Sequence, residues 1–158
     1  MIELRKINYD NFNQVLDLSV DEKQKDFVAS NIYSLAEAYV ALTNNTTTPM
    51  PFAIYANDIL IGFLMLSYDK KDPQEDDDED VYWIWRFMID QTHQKKGYGK
   101  MAMIKVIEYI KTFPKGKATA IVLSYEPSNN VVRKLYGSLG FVETGEIEDG
   151  EVVAKLTL

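Results

Sequence analysis

The segment that most constrains this chain lies between a run typical of a strand and a run typical of a helix. Val81 to Ile89 is almost entirely apolar or aromatic, and Lys100 to Lys111 has helical periodicity. Between them stands Gln94-Lys95-Lys96-Gly97-Tyr98-Gly99. Glycine allows positive φ and close approach to a ligand, and a helix N-terminus carries about half a positive charge. The segment therefore predicts a phosphate-binding loop.

Taken alone, this loop is weak evidence, because many glycine loops only turn the chain. No Gly-Lys-Ser/Thr ends it, so it is not the P-loop of nucleotide hydrolases. The pattern Gly-x-Gly-x-x-Gly is also missing, which disfavours a dinucleotide-binding fold. Either the loop binds a phosphorylated cofactor of another kind, or it is a turn.

The overall composition narrows the class of protein. With 158 residues and 46% hydrophobic content, the chain has the size of one domain with a sizeable core. It has no apolar run of about 18 residues and no signal-peptide layout, so we expect no transmembrane helix and a cytoplasmic location. Cysteine is absent and His93 is the one histidine, which excludes thiolate chemistry and disfavours both a Ser-His-Asp triad and a metal site. Surface packing is the expected role of His93.

The acidity of the chain is local. The net charge is −7, and seven of the 24 acidic residues lie between positions 72 and 80, so that 17 acids balance 17 bases elsewhere. This distribution disfavours nucleic acid or an anionic membrane as a partner and favours a cationic one. The alternative for the acidic loop is a solvated hairpin tip without a binding role.

Hydrophobic periodicity and turn residues predict seven strands and four helices. The predicted strands are 2–7, 52–55, 59–67, 81–89, 118–125, 142–147 and 151–158, and the predicted helices are 10–18, 34–42, 100–111 and 129–139. Ser34-Leu35-Ala36-Glu37 has the pattern of a capping box, and 44–51 is predicted as a polar loop. The third helix carries Met101, Ile104, Ile107 and Ile110 on one stripe. This order predicts one α/β or α+β domain with a mixed sheet.

A second motif gives the glycine loop a context. The segment Asn129-Asn130-Val131-Val132-Arg133-Lys134-Leu135-Tyr136-Gly137-Ser138-Leu139-Gly140-Phe141, taken together with the loop, resembles the GNAT superfamily of acetyl-CoA-dependent N-acetyltransferases. The residues that match the two family motifs are Gln94, Gly97, Gly99, Asn129, Leu135, Tyr136, Gly140 and Phe141. Val132 stands where the family usually has alanine. The resemblance covers the whole chain and implies a mostly antiparallel sheet of about seven strands, splayed between strands four and five, with helices on both faces.

Several shorter stretches are similar to the bacterial spermine/spermidine acetyltransferases within this superfamily. They are Phe27-Val28-Ala29-Ser30-Asn31, Ser34-Leu35-Ala36-Glu37-Ala38, Arg86-Phe87-Met88-Ile89-Asp90, Leu123-Ser124-Tyr125-Glu126-Pro127 and Thr144-Gly145-Glu146-Ile147. Lys96 departs from the family, which usually has glycine there. The departure adds a positive charge beside the expected phosphate.

The resemblance implies acetyl-CoA as co-substrate and a set of residues that bind it. Backbone amides of the glycine loop would hold the pyrophosphate, while the end of the fourth strand and Asn129 would hold the pantetheine arm. The Met88 N–H would stabilise the oxyanion of a tetrahedral intermediate, an interaction worth about 3–4 kcal/mol. The implied cofactor-binding residues are Phe87, Met88, Ile89, Gln94, Lys95, Lys96, Gly97, Tyr98, Gly99, Lys100, Asn129, Lys134 and Tyr136.

Tyr136 is the implied general acid. In the family the tyrosine at this position protonates the departing CoA thiolate. The alternative is a core tyrosine on an apolar helix face, which Leu135 and Leu139 would support.

An alkylamine near pKa ~10.4 is almost wholly protonated at neutral pH, so the attacking amine needs a base. Glu126 and Glu37 are the candidates, with Asp26 a weaker one. Surface carboxylates without such a role are the alternative. A polyamine site should present carboxylates and aromatic faces, and the candidates are Tyr33, Glu37, Trp83, Trp85, Tyr125 and Glu126. Trp83 and Trp85 lie two apart and hence on one strand face, where core packing is the alternative role.

The expected reaction is transfer of acetyl from acetyl-CoA to a primary amine of a small polyamine. Direct attack in a ternary complex is implied, because the chain has no cysteine to carry the acetyl group. The alternatives are another amine, such as an aminoglycoside, an amino acid or a protein N-terminus, and a CoA-binding sensor without turnover. The sequence does not specify the oligomeric state, although homodimers are frequent in the family.

Overall fold

The predicted strands form one mixed sheet in the computed structural model, which describes residues 1–158. In spatial order the strands run β1-β2-β3-β4-β5-β7-β6. Their bounds are β1 Ile2–Lys6, β2 Thr48–Ala56, β3 Ile59–Asp69, β4 Val81–Ile89, β5 Ala120–Tyr125, β6 Val142–Glu148 and β7 Glu151–Thr157. The helices are α1 Phe12–Asp17, α2 Asn31–Asn44, α3 Tyr98–Ile110 and α4 Asn130–Ser138, with single 3₁₀ turns at Glu22–Gln24 and Gln91–His93. No helix is long and apolar enough to cross a membrane.

Strands β4 and β5 are the one parallel pair, and they separate after a short contact. Val81 to Trp83 pairs with Ala120 to Val122. Beyond these residues β4 pairs only with β3, and β5 only with β7. The predicted splay between strands four and five is therefore confirmed. It opens a cleft at the end of the sheet where β4 leads into the glycine loop.

Two tight hairpins confirm local predictions. Asn57 and Asp58, between β2 and β3, have φ of 48° and 65°. Asp149 and Gly150, between β6 and β7, have φ of 49° and 84°. Positive φ at both central residues defines the turns whose twist matches that of the strands they join, and Asn, Asp and Gly tolerate that conformation best.

The sheet is apolar on both faces because helices cover both. Ile54, Leu64 and Tyr82 belong to the larger core cluster, to which α3 and α4 contribute. Ala53 and Phe63 point the other way, towards α1 and α2. Neighbouring residues alternate between the two clusters, as the two-residue period of a strand requires.

The predicted start of α2 is wrong by about one turn. The helix begins at Asn31 and is capped by Ser30, whose hydroxyl accepts a 3.1 Å hydrogen bond from the Tyr33 N–H. Ser34, predicted as the cap, is fully buried inside the helix and donates to the Ser30 carbonyl over 2.9 Å. Either serine can cap a helix, and burial of Ser34 against the sheet decides between them.

The predicted loop 44–51 is partly strand. Strand β2 begins at Thr48, and its first four residues pair with Tyr68 back to Met65 of β3. Strand β1 pairs only with residues 52–56, so the prolines at 49 and 51 occupy an edge of the sheet. Proline is tolerated at an edge because its missing N–H would face solvent rather than a partner strand.

The predicted core stripe of α3 is also wrong in part. Met101 and Ile104 are exposed, whereas the fully buried residues of the helix are Ala102, Met103, Val106 and Ile110. Of the predicted stripe, Ile110 is buried and Ile107 packs at the margin of the core. The helix has apolar side chains on more than one face, so periodicity alone does not choose the buried face.

Candidate active site

The glycine loop leaves a row of backbone donors unpaired. Lys95 and Gly97 have φ of 61° and 81°, in the left-handed region. Gly97 is the N-cap of α3 and offers no side chain to the helix terminus. The N–H groups of residues 94–100 donate to no atom of the protein. Because buried or ligand-facing N–H groups need acceptors, and α3 directs its positive end here, these residues fit the pyrophosphate of CoA.

Gly97 and Gly99 face different surroundings. A Cβ atom added at Gly97 would have no protein atom within 4 Å, so the loop is open on that side. A Cβ atom added at Gly99 would lie 3.9 Å from Leu135 Cδ2 of α4. The fold thus brings the two sequence motifs together, with α4 beside the first turn of α3.

The side chain of Gln94 anchors the loop. Its Nε2 donates to the Ile89 carbonyl over 2.9 Å and to Gln24 Oε1 over 2.8 Å. The first bond ties the loop to the end of β4, and the second ties it to the chain between α1 and α2. The sequence predicted only the backbone of Gln94 as a ligand-binding group, so this positioning role was missed.

Lysines surround the loop. Lys95, Lys100 and Lys134 are exposed and form no ion pair, while Lys96 Nζ donates to the Thr92 carbonyl over 2.8 Å. Free ammonium groups near an anion site raise its positive potential and are screened by salt. Their role in cofactor binding stays a prediction.

The end of β4 forms one wall of the cleft. Met88 is buried with the side chains below α1 and α2, whereas Phe87 packs at the margin of the α3 side and Ile89 is buried there. A Cβ atom added at Gly62 would lie 2.4 Å from the Met88 carbonyl oxygen, so only glycine lets β3 approach this closely. Gly62 is a positioning residue that no pattern in the sequence singles out.

Asp90 follows β4 and joins it to the chain after α1. Its carboxylate accepts from the Ser19 N–H over 2.9 Å, from the Thr92 N–H over 3.1 Å and from the Thr92 hydroxyl over 2.5 Å. Burial acts to raise the pKa of Asp90, but the hydrogen bonds from Thr92 and Ser19 outweigh it and hold that pKa below its ordinary value. Residues from 18–20 and 28–31, with Met88, line a partly open cavity of about 170 Å³.

Tyr136 lies inside the core beneath the cleft. Its side chain is 6% exposed, and its ring centroid is 5.8 Å from those of Tyr125 and Phe141. The Tyr136 hydroxyl has no hydrogen-bond partner in the protein, but it is not among the fully enclosed polar atoms. Of those enclosed side-chain atoms, only Arg86 Nε lacks a partner. Burial raises the pKa of Tyr136 far above its ordinary value, so the residue is a neutral phenol at physiological pH.

Asn129 caps α4, as its position predicts. Its side-chain oxygen accepts from the Val132 N–H over 3.4 Å, and its amide Nδ2 donates to no protein atom. Tyr125, predicted at the acceptor site, directs its hydroxyl to Glu143 Oε1 over 2.7 Å, and Arg133 Nε donates to the same oxygen over 2.6 Å. The Tyr125 hydroxyl is therefore committed to the α4 side of the sheet.

A bulge in β4 directs the cation of Arg86 towards Glu37 of α2, which was predicted at the acceptor site. Met65 pairs with Arg86 and Leu66 with Ile84, so Trp85 has no partner on β3. The Arg86 Nη2 donates to Glu37 Oε2 of α2 over 2.8 Å, and Nη1 donates to the Trp85 carbonyl over 2.8 Å. No pattern in the sequence marks this bulge, which explains why Arg86 was not predicted as a site residue.

Trp83 and Trp85 lie on one face of β4, as predicted, but they pack in separate clusters. Trp83 packs against Val81, Ala120, Val122 and Val153, whereas Trp85 packs with the cluster beneath α1 and α2. Their neighbours Tyr82 and Ile84 belong to the cluster on the α3 side, so alternation holds up to Trp85 and the bulge shifts only the residues after it. Trp85, beside Arg86, is the tryptophan closer to Glu37; the Arg86 guanidinium carbon lies 5.8 Å from its ring centroid.

The remaining candidates occupy varied positions. Tyr33 is exposed on α2, Asp26 is exposed before it, and Glu126 is half-buried at the end of β5 without a hydrogen bond to its side chain. His93 is half-buried, with its ring 6.4 Å from that of Tyr98.

The acidic loop joins β3 to β4 at the far end of β4 from the glycine loop. The strand spans roughly 26 Å at ~3.3 Å per residue. Glu79 of this loop binds Lys155 and the Thr119 hydroxyl, which holds that part of the loop against the sheet. The distance does not favour a direct role of the loop at the cleft.

The comparisons agree with this geometry. Residues 12–141 match the acetyltransferase (GNAT) family. The spermine/spermidine N(1)-acetyltransferase of Bacillus subtilis is 30% identical over 157 residues, covering 96% of this chain and 95% of that protein. The crystal structure of aminoglycoside acetyltransferase AAC(6')-Ib with coenzyme A has a TM-score of 0.76 at 17% identity, covering 99% of this chain and 95% of that one. The PaiA N-acetyltransferase of Thermoplasma acidophilum with coenzyme A has a TM-score of 0.69 at 15% identity, covering 100% and 99%.

A splayed mixed sheet with an unpaired amide row at a helix N-terminus defines the class of CoA-dependent acyltransferases. Within that class, the chain belongs to the acetyltransferase (GNAT) family. It is accordingly an acetyl-CoA-dependent N-acetyltransferase, which confirms the resemblance drawn from the two motifs.

Proposed function

We propose that this protein transfers acetyl from acetyl-CoA to a primary amine of a small polyamine of the spermidine or spermine type. The observation that supports a polyamine as the acceptor is the 30% identity to a spermine/spermidine acetyltransferase across 96% of the chain. The glycine loop supports acetyl-CoA as the other substrate, because its seven free backbone N–H groups suit a pyrophosphate.

In the proposed reaction the free amine attacks the thioester carbonyl of acetyl-CoA directly. A C–N bond forms, the carbonyl oxygen becomes an oxyanion, and the C–S bond then breaks to release the CoA thiolate. The Met88 N–H, at the end of β4, serves as the oxyanion donor. As the C–S bond breaks, Tyr136 donates its phenolic proton to the sulfur, the attacking nitrogen gives up its second proton to the base or to water, and water reprotonates the phenolate. Burial raises the pKa of Tyr136, which keeps the phenol protonated beforehand, so the donation depends on the departing sulfur being strongly basic as it leaves the carbon.

The ammonium proton of the acceptor needs a base before attack. Glu126 is half-buried at the mouth of the cleft, and no protein group engages its carboxylate. Glu37 is already held by Arg86, so its remaining oxygen suits binding of a second ammonium group of the polyamine. We therefore propose Glu126 as the base, acting directly or through a water, and Glu37 as a positioning carboxylate.

An aminoglycoside is the second candidate acceptor. The structural similarity to AAC(6')-Ib supports it, since that enzyme's structure covers almost the whole chain at a TM-score of 0.76. Aminoglycosides are also polycationic amines, and the same carboxylates would attract them. They are rigid and broad, however, whereas a polyamine is thin and flexible.

A substrate panel scored by release of free CoA tests the proposal. It contains spermidine, spermine, a diamine, an aminoglycoside and an amino acid, each with acetyl-CoA, and mass spectrometry identifies the acetylated product. We expect turnover with spermidine or spermine at a kcat/KM at least tenfold above the other amines. Preference for the aminoglycoside would make an aminoglycoside, rather than a polyamine, the proposed acceptor. Tight acetyl-CoA binding without acetyl transfer to any amine would indicate a CoA-binding sensor.

A further inference from the structure

The cavity beside the end of β4 is not used by the reaction proposed above. Its volume is about 170 Å³, and it is partly open. Met88 of β4 lines one side, and the chain between α1 and α2 lines the rest. The apolar side chains that this chain contributes are Leu18, Val20, Val28 and Ala29. Most of the lining residues are therefore hydrocarbon in character.

The polar side chains of the lining are already paired within the protein. The Ser19 hydroxyl accepts from Gln91 Nε2 over 3.0 Å. The Ser30 hydroxyl accepts from the Tyr33 N–H over 3.1 Å. Asn31 is buried, and its Nδ2 donates to a backbone carbonyl of α1 over 2.8 Å. Because these groups have partners without a ligand, the cavity suits an apolar guest better than a polar one.

The cavity also lacks the charge that a polyamine would need. Lys25 is the one charged residue in the lining, and it is paired with Glu22 at the surface. No carboxylate lines the cavity. A polyamine carries an ammonium group after every few methylenes, so a polyamine inside the cavity would bring a charge to a site without a counter-charge. Burial of an unpaired charge is costly, which excludes the acceptor as the favoured guest.

We infer that this cavity binds the hydrocarbon chain of an acyl group longer than acetyl, and that the enzyme also uses short straight-chain acyl-CoA thioesters such as butyryl-CoA. The inference rests on the proposed function, which places the thioester at the end of β4, because Met88 belongs both to that segment and to the cavity lining. An apolar cavity of about 150 Å³ is able to bind benzene, so this one has room for a chain of roughly four to six carbons.

The chemical step is the one proposed for acetyl, with a longer substituent on the carbonyl carbon. The amine nitrogen forms the C–N bond, the C–S bond breaks, and CoA leaves as the thiol. The protons move as they do for acetyl, so no further reactant is needed, and the product is a longer-chain amide of the same amine. Each buried methylene strengthens binding about fourfold, so we expect butyryl-CoA to bind about 15-fold more tightly than acetyl-CoA.

Calorimetry with acetyl-CoA and with butyryl-CoA, in the absence of amine, tests the cavity independently of the acceptor. Ala29→Leu places a larger side chain in the lining and should abolish the 15-fold difference. Ala36→Leu is the matched control, because it makes the same change at an exposed residue of α2 and should keep the difference. Val20→Ala enlarges the cavity and should shift the preference towards hexanoyl-CoA. Circular dichroism establishes that each variant is folded.

Transfer to spermidine, measured by release of CoA, supplies the second readout. The ratio of kcat/KM for butyryl-CoA to that for acetyl-CoA should fall at least tenfold in Ala29→Leu and stay unchanged in Ala36→Leu. Equal affinity of the wild type for the two thioesters, or an unchanged ratio in Ala29→Leu, overturns the inference. A higher KM for spermidine in Ala29→Leu at the same donor preference overturns it in favour of the acceptor.

Failure of the proposed function gives a different result. If spermidine accepts no acyl group from either donor, while butyryl-CoA still binds more tightly and Ala29→Leu removes that advantage, the cavity assignment is supported. Only the proposed acceptor is then contradicted.

Discussion

Arg86 and Glu37 are joined by a 2.8 Å hydrogen bond between guanidinium and carboxylate, although 49 residues separate them in the chain. The bond connects β4 to α2 on the side of the cleft that we propose for the acceptor. It leaves one carboxylate oxygen of Glu37 free and holds the other in place. The carboxylate on this side is thus part of a fixed ion pair.

We expect Glu37→Gln to raise KM for spermidine roughly tenfold, because a hydrogen bond to a charged group is worth about 1.5–3 kcal/mol. The glutamine oxygen still accepts from Arg86, so the fold should be kept while the negative charge is lost. Steady-state kinetics with spermidine and a diamine measure the effect, and kcat should change little. Glu146→Gln, at an exposed residue of β6, is the control. An unchanged KM would remove Glu37 from the acceptor site.

Tyr136→Phe is expected to lower kcat about 100-fold, the lower end of what general acid catalysis contributes. Acetyl-CoA affinity and thermal stability should stay near wild type, since the hydroxyl has no protein partner. Calorimetry and turnover measured on the same preparation separate the two effects. Tyr109→Phe is the matched control, because burial also raises the pKa of this core tyrosine, which lies outside the cleft. Wild-type turnover in Tyr136→Phe would leave the residue a core tyrosine only.

Gly97→Glu should abolish measurable acetyl-CoA binding, because it places a side chain and a negative charge where the pyrophosphate is expected. Gly145→Glu is a closely matched control. Both glycines have positive φ, 81° and 88°, and a Cβ atom at either would meet nothing within 4 Å. The backbone strain is therefore similar, and only the location differs. Isothermal calorimetry with acetyl-CoA compares them, and equal affinities would contradict the phosphate-loop assignment.

Asp90→Asn should destabilise the protein by about 1–3 kcal/mol at neutral pH, because it removes charge-assisted hydrogen bonds from Ser19 and Thr92. The folded-state pKa of Asp90 is lowered, so its contribution is present above the unfolded pKa of ~3.9 and is lost as pH falls through the folded value. Urea unfolding at several pH values should show the variant approaching wild type below about pH 4.

Asp26→Asn is the control for this prediction, since Asp26 is exposed and its carboxylate has no hydrogen-bond partner. It should follow the wild-type stability curve at all pH values. A constant difference between Asp90→Asn and wild type from neutral to acid pH would show that Asp90 acts through its shape rather than its charge.

Local patterns predicted the elements whose conformation depends on few neighbouring residues. The hairpins at Asn57-Asp58 and Asp149-Gly150 follow from residues that tolerate positive φ, and the α4 cap follows from the Asn129 side chain. The glycine loop and the Tyr136 motif were predicted in the same way, because each is a short run with its own backbone requirement.

Competing local signals were decided by packing. Ser30 and Ser34 are both able to cap α2, and the sheet buries Ser34. Likewise, α3 has apolar residues on several faces, and its contact with the sheet selects Met103 and Val106 over Met101 and Ile104. Either serine and more than one face of α3 satisfy the local rules, and the tertiary contacts determine which of them is used.

The sequence by itself determined the family, the order of strands and helices, and the glycine loop that we propose as the phosphate-binding site. Only the tertiary structure decided the bulge at Trp85 and the pairing of Arg86 with Glu37. The physical reason is the distance along the chain over which each interaction acts. Backbone preferences and periodicity act over a few residues, whereas register, bulges and ion pairs depend on which distant segments pack together.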